Sequence, residues 1–256
     1  MLIITMAGAS SRFKKFGYSK PKFLLKFGDD KIITHIIRSY NKFIEKHGSI
    51  FVYNSNDIDK NQLTNLILLS GCKRQSFELL DLKKLTNGQA ETAAIAIKTH
   101  ELYGPITIVN IDTLYTNWTE IDYSEKKFID GYLDVTKWQG NNWSFIKNDL
   151  SGRVFEIAEK SRISNLTSTG LYSFKSGQMY LDYQKSIAKE TNNKQSLGEY
   201  FISSVYKKML ADGLHIHSRQ IDTKKLKLFG TPQEYKDSCL EIGEKFEEPN
   251  LIDYHD

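Results

Sequence analysis

Two hydrophobic periods alternate through the first half of this chain, and that alternation limits its fold more than any other feature. The runs "LIITM" (2–6), "SIFVYNS" (49–55), "QSFELLDL" (75–82) and "PITIVNID" (105–112) are apolar and rich in β-branched or aromatic residues, so each predicts a strand. Between them lie segments with helical apolar spacing. "KIITHIIRSYNKFIEKHG" (31–48) ends at Gly48. "DIDKNQLTNLILLSG" (57–71) opens on Asp57 as an N-cap and closes on Gly71, and "GQAETAAIAIKTHEL" (88–102) is alanine-rich. Strand and helix in alternation predict an α/β fold with a mostly parallel sheet flanked by helices on both faces. The second half changes character. "GYLDVT", "WSFIKND", "RVFEIAEK" and "TGLYSF" are short strand patterns broken by turns at Asn148-Asp149 and Ser151-Gly152. Helices are expected near 177–190 and 196–212, and a strand at "LHIHSRQI" (214–221). With no internal repeat and no linker, the expectation is one domain over 1–256, with halves at 1–115 and 116–256.

Composition narrows the function. The chain has 256 residues, 40% hydrophobic and 26% charged, as in an ordinary globular protein that builds its core without staples. Two cysteines, Cys72 and Cys239, imply no disulfide framework, and reduced thiols point to a cytoplasmic protein. No apolar run is long enough to span a membrane, and the N-terminus lacks the order of a signal peptide. The net charge of +4 is unevenly spread. Residues 1–50 hold ten Lys/Arg against three acidic residues, whereas 241–256 hold six acidic residues against Lys245. A basic N-terminal region predicts an anionic ligand. Nucleic acid is disfavoured, because no helix carries a Lys/Arg stripe and no nucleic-acid module is recognisable. Oligomeric state is not readable.

The stretch "MAGASSRF" (6–13) follows the first predicted strand, where a parallel sheet offers its ligand site. Ala7, Gly8, Ala9 and Ser10 are small, so backbone N–H groups can approach phosphate oxygens. Arg12 adds a bidentate cation and Lys22 a point charge. Neither common phosphate loop fits. Gly17 lies nine positions after Gly8, which excludes G-x-x-x-x-G-K-[ST], and Ser10 breaks G-x-G-x-x-G. From residues alone, a tight turn with surface lysines stands equally beside the phosphate loop.

The ordered motifs "MAGASSRF…KPKFLL", "GQAETAAIA", "NID" and "IAEKSRISNLTSTGLYSF" resemble the nucleotidyltransferases called nucleotide-sugar pyrophosphorylases. The resemblance spans about residues 1–175 and returns weakly at "FGTP" (229–232). It is nearest to the bacterial capsule-type branch, on "SSRF", "WSFIK", "EK", "IS" and "GEY". It implies a Rossmann-like nucleotide-diphospho-sugar transferase fold. It also implies transfer of a nucleoside monophosphate, CMP from CTP in that branch, to a phosphorylated metabolite such as phosphoglutamine or a sugar phosphate, with release of pyrophosphate. Met6, Ala7, Gly8, Ala9, Ser10, Ser11 and Arg12 would hold the nucleotide, Gln89 would read the base, and Thr92 would approach it. Arg12 and Lys22 would be catalytic. Ser144, Glu159, Lys160 and Gly170 would bind the acceptor, and Ser144 stands where many sugar-phosphate enzymes have glycine. Asp112 would bind Mg²⁺. Relatives often place a second aspartate just before a G-T pair; Leu228 occupies that place here, leaving Asp222 as the nearby candidate. The ordinary alternatives are a turn-capping Asp112, a helix-start role for Gln89 and Glu91, an exposed Glu159–Lys160 ion pair, and a strand bulge at Gly170.

Three features remain. His215 and His217 share one face of a strand and read as edge-strand residues rather than a metal pair, with no third ligand at suitable spacing. Trp138, Trp143 and Phe145 either line the acceptor pocket or cover the sheet, and the second reading is favoured. "DID" (57–59) matches the D-x-D of metal-dependent glycosyltransferases but falls at a helix start. A glycosyltransferase and a non-catalytic nucleotide sensor are the competing functions.

Overall fold

A computed structural model describes residues 1–120, 128–193 and 200–250. From the N-terminus come β1 (Leu2–Thr5), the short helix α1 (Ser11–Lys15), a small hairpin of β2 (Lys26–Phe27) and β3 (Asp30–Lys31), and α2 (Ile32–His47). Then follow β4 (Ser49–Tyr53), α3 (Lys60–Leu69), β5 (Phe77–Asp81), α4 (Gln89–Thr99), β6 (Ile106–Asn110) and β7 (Thr113–Tyr115). The second half adds β8 (Gly131–Lys137), β9 (Ser144–Asn148), β10 (Arg153–Glu159), β11 (Leu166–Phe174), α5 (Gly177–Asn193), α6 (Ile202–Ala211), β12 (Ile216–Gln220), β13 (Leu226–Leu228) and α7 (Pro232–Glu241). Of the helix expected over 196–212, residues 196–199 lie outside the described residues, and α6 begins at Ile202 because Phe201 is extended (φ −90°, ψ 148°).

The sheet is mixed rather than mostly parallel. Its nine strands run β5-β4-β1-β6-β11-β8-β12-β10-β9. The first four are parallel, as βαβ connections require. From β11 onward antiparallel pairs dominate, and only β8 and β12 are parallel there. Short strands joined by tight turns can only pair antiparallel. The far end curls until β9 meets β11 again, so β11, β8, β12, β10 and β9 close a ring.

Strand β11 is forked. Leu166 and Thr167 pair with β9, whereas Leu171–Phe174 pair with β6 on the same margin. The register against β8 shifts between Ser168 and Tyr172, and Gly170 sits in that bulge with φ +89°. The C-terminal end of β6 and the start of β9 therefore diverge at residues 168–170 and leave an opening between them.

Two cores flank the sheet. Side chains alternate along each strand: Leu2 and Ile4 of β1 face one core and Ile3 the other. The first core takes α2, α3 and α7, through residues such as Ile36, Leu63 and Tyr235. The second takes α4, α5 and α6, through Ala93, Tyr180 and Tyr206. Cys72 and Cys239 are free and buried, and burial pushes their thiols up to about 12 and about 11, so neither is reactive.

The cap of α3 is Asp59, not Asp57. Its Oδ1 accepts from the backbone N–H groups of Asn61 (2.8 Å) and Gln62 (3.2 Å), whereas Asp57 faces Lys14 at 3.8 Å. Both carboxylates of the "DID" motif are thus engaged locally. Asp59→Ala is expected to cost about 1 kcal/mol and to lower the thermal midpoint by about 3 °C, read by circular dichroism.

Candidate active site

The loop after β1 crosses the C-terminal ends of the parallel strands. Met6 and Ala7 are buried, and the Met6 N–H donates to the Val52 carbonyl. Ser10 adopts a left-handed conformation (φ 50°, ψ 32°) and turns the chain into α1. A Cβ on Gly8 would meet no atom within 4 Å, so no protein neighbour demands glycine there. Met6 to Arg12 all line a cleft of about 830 Å³, and Arg12 is exposed in it. No hydrogen bond or ion pair holds the Arg12 guanidinium among the described residues.

Lys22 opens a short 3-10 turn anchored by buried Phe23 and Leu24. Its Nζ lies 2.6 Å from Asp112 Oδ2, and both side chains are about one-fifth exposed. Asp112 stands two residues past β6, and its carbonyl accepts from the Phe229 N–H (2.8 Å). That bond carries the chain after β13 to Asp112, so Leu228, Gly230, Thr231 and Glu234 join the cleft. Asp222 does not. Its side chain caps a 3-10 turn by accepting from the Lys224 N–H (3.0 Å), and it lies outside the cleft lining. Glu234 is a carboxylate that sequence reasoning missed. Burial pushes its carboxyl up, the neighbouring Asp112 charge adds to this, and hydrogen bonds from Thr231 oppose it.

Two carboxylates against one ammonium leave negative charge in excess, and the Lys22 ammonium already stands at Asp112 as a cation would. These hard oxygen donors fit Mg²⁺. No cluster of three or more His, Cys, Asp or Glu exists among the described residues, so phosphate and water oxygens would complete such a site.

On the opposite wall, α4 begins at Gln89. Its Nε2 donates to Thr5 Oγ1 (3.0 Å), which donates in turn to the Val109 carbonyl, and this fixes the amide at the cleft. Thr92 is buried against Thr86 and Gly88 but still contributes to the lining, as do Thr86, Asn87 and Gly88 themselves. The Glu91 carboxylate turns back to accept from the Asn87 N–H and side-chain amide. The backbone of Tyr200 pairs with this loop: its N–H donates to the Asn87 carbonyl and its carbonyl accepts from the Ala90 N–H. In the "GEY" motif, Gly198 and Glu199 lie outside the described residues.

The fork of β11 forms the remaining wall. Gly170 lines it from within the bulge, and a Cβ there would stand 2.2 Å from Asn110 Nδ2, so a protein neighbour as well as the positive φ demands glycine. Ser144 and Glu159 face each other across the β9–β10 pair. The Ser144 hydroxyl donates to Glu159 Oε2, and Ser203 of α6 donates to the same oxygen at 2.8 Å. Ser203 had no sequence signal beyond its place on a helix. Burial pushes the Tyr172 hydroxyl, which donates to Ser144 Oγ, up to about 12. Lys160 is left-handed (φ 52°), and its ammonium lies 4.4 Å from the Phe201 ring centre.

The aromatic expectation divides. Phe145 is fully buried and covers the sheet, but Trp138 and Trp143 line the cleft with rings 5.8 Å apart. Arg162 holds the loop that carries them. Its guanidinium donates to the carbonyls of Trp138 and Gly140 and to Asn141 Oδ1, and packs over Phe145. His217 belongs to an interior strand, since β12 lies between β8 and β10. His215 just precedes that strand, and neither histidine lines the cleft.

No protein-family model matches the chain. The bifunctional protein GlmU of Pseudomonas fluorescens is 23% identical over 229 residues, which is 86% of this chain and 46% of that protein. The chain thus spans about half the length of the curated relative it matches. Among solved structures, the inositol-1-phosphate CTP transferase of T. maritima shares the fold, with a TM-score of 0.67 at 14% identity over 95% of this chain and 97% of that one. The nucleoside-diphosphate-sugar pyrophosphorylase of Vibrio cholerae RC9 has a TM-score of 0.84 and 32% identity, over 94% of this chain and 100% of that one. With that identity over 94% of this chain and the whole of the other, and a mixed α/β sheet of the same form, the chain belongs to the nucleoside-diphosphate-sugar pyrophosphorylase family of nucleotidyltransferases.

Proposed function

We propose that this protein transfers CMP from CTP to a phosphorylated small metabolite, phosphoglutamine or a sugar phosphate, and releases pyrophosphate, as a cytoplasmic step toward capsule or surface polysaccharide. One observation carries the reading. The small-residue loop, the cations of Arg12 and Lys22, the carboxylates of Asp112 and Glu234, and Glu159 with Lys160 line a single cleft. Residues 1–115 would supply the nucleotide side and 116–256 the acceptor side of one domain, with 228–234 returning to Asp112. Support for CTP is the likeness to the capsule-type branch.

The chemistry asks little of side-chain acid–base groups. A phosphate monoester is largely dianionic near neutral pH, because its second pKa is about 6. Its oxygen attacks the α-phosphorus without a base, so catalysis is positioning and charge neutralisation. Arg12, exposed and free to turn, would hold the departing pyrophosphate. Lys22, between Asp112 and the loop, would meet the α-phosphate and the acceptor phosphate. Gln89, with one of its two amide N–H groups held by Thr5, would offer its carbonyl and the other N–H to the base. Glu159, held by two serine hydroxyls, would accept from acceptor hydroxyl or amine groups, and Lys160 would bind the acceptor phosphate. Mg²⁺, when bound at Asp112, supplies further neutralisation of triphosphate charge.

The test is pyrophosphate release from each of CTP, UTP, dTTP, GTP and ATP with a panel of phosphorylated acceptors. Acceptor-dependent release, largest with CTP, is expected. Release with UTP or dTTP and a sugar 1-phosphate would replace the cytidylyl assignment. Sugar transfer without pyrophosphate would indicate a glycosyltransferase, and tight nucleotide binding without product a sensor.

A further inference from the structure

We infer that Glu234 supplies the second carboxylate of the divalent-cation site, replacing from a helix N-terminus the aspartate whose place Leu228 takes. This rests on the nucleotidyltransferase reading above. Glu234 is the third residue of α7 and closes a capping box. Thr231 Oγ1 accepts from the Glu234 N–H, and Glu234 Oε2 accepts from the Thr231 N–H at 2.8 Å. A glutamate there needs no further explanation if it points to solvent. Here it does not, because it lines the cleft with Asp112.

Gly230 measures how the two carboxylates converge. A Cβ on it would lie 3.0 Å from Glu234 Oε2 and 3.6 Å from Asp112 Oδ2. Both oxygens therefore border one small space, and glycine keeps it clear. Its φ is not left-handed, so backbone conformation does not require glycine at this position. Lys22 neutralises one of the two charges. Once its ammonium turns toward phosphate, two carboxylates border the space with no protein cation between them, and a dication restores the balance. The capping box fixes the Glu234 side chain on a rigid element, which suits a ligand that must not wander. The Thr231 N–H donates to Oε2, and the Gly230 backbone and the Thr231 side chain also hydrogen-bond the carboxylate; a carboxylate has about four lone-pair sites, so accepting capacity remains for a metal or its bound water.

The experiment titrates Mn²⁺ into the full-length protein with CTP and no acceptor, reading free Mn²⁺ by electron paramagnetic resonance. Glu234→Gln keeps the capping box, since glutamine serves at that position, and removes only the charge. It is expected to weaken Mn²⁺ binding about tenfold or more. Gly230→Ala alters no charge but fills the space, and should weaken binding to a similar degree. Asp237→Asn, exposed on the same helix, should leave it within about twofold, the size of a screened long-range charge effect. The inference is overturned if Asp112→Asn abolishes binding while Glu234→Gln and Gly230→Ala bind like the wild type. It is overturned equally if the wild type adds nothing to the affinity of CTP alone. Failure of the functional reading is seen separately, as absent pyrophosphate from the wild type in the nucleotide panel.

Discussion

Lys22→Met is expected to keep the protein folded and lower kcat/KM by about 100- to 1,000-fold, the cost of losing one preorganised donor at a site of developing charge. The side chain belongs to a turn that Phe23 and Leu24 fix in the first core, so its ammonium enters the cleft on a rigid base. Its ion pair with Asp112 is partly solvated and contributes at most about 1 kcal/mol to stability. The thermal midpoint should therefore move by no more than about 3 °C. A second readout separates a catalytic lysine from a structural one. With no ammonium competing for Asp112 Oδ2, Mn²⁺ should bind the variant more tightly than the wild type. Turnover within tenfold of normal would show that Lys22 does not reach the reacting phosphates.

The largest stability loss is expected from a pair far from the reacting groups. Asp134 of β8 is fully buried and lies beside Arg219 of β12, its register partner. Arg219 donates through Nε to Oδ1 and through Nη2 to Oδ2, both at 2.9 Å, and Trp118 Nε1–H adds a bond at 3.2 Å. Burial pushes the Asp134 carboxyl above the usual aspartate range, and Arg219 and Trp118 work against that. Arg219→Met leaves the carboxylate without its charge partner, at a cost of about 3–5 kcal/mol. The midpoint should fall by about 10 °C or more. The sign of the pH dependence follows from the raised carboxyl. A group whose folded value exceeds its unfolded value favours the fold below the unfolded value and loses that contribution as pH rises through the folded one. Without Arg219 the folded value climbs further. The deficit of the variant should therefore be greatest at neutral pH and narrow toward pH ~4. A deficit that is small or independent of pH, in urea unfolding across that range, would refute the assignment.

The period of the apolar residues foretold the parallel strands β1, β4, β5 and β6 and the helices α2, α3 and α4 within a few residues, because burial on one or both faces is written locally, whereas α1, the β2–β3 hairpin and β7 are too short to carry a period. Strand direction is not local. The antiparallel run from β11 onward depends on which turns close and on pairings such as Leu171 with Val109, sixty-two positions apart. Helix α7 escaped notice because its buried apolar residues, Tyr235 and Cys239, are few, although Thr231, Pro232 and Glu234 spell a capping box. Asp57 and Asp59 were equivalent as letters, and only the extended backbone at Asp59 made it the cap. The loop from Met6 to Arg12 was legible because small residues after a strand are unusual. Glu234, Ser203 and Arg162 were not, since each enters through a contact between segments distant in sequence. For Trp138 and Trp143 both a pocket lining and a sheet cover were legible, but not the choice between them, because their loop is shaped by the guanidinium of Arg162, twenty-four positions after Trp138.

The ring at the far end of the sheet has a consequence for how copies of this chain meet. Because β9 returns to β11, that end offers no unpaired row of amides and carbonyls. Among the described residues, lateral growth of the nine-stranded sheet is open only along β5, "FELLD". Five residues there include Glu78 and Asp81, and in full antiparallel overlap a second identical strand would set Glu78 against Leu80 and Asp81 against Phe77, so each approach brings a charge against an apolar side chain. Charge guards one border, and curvature has removed the other.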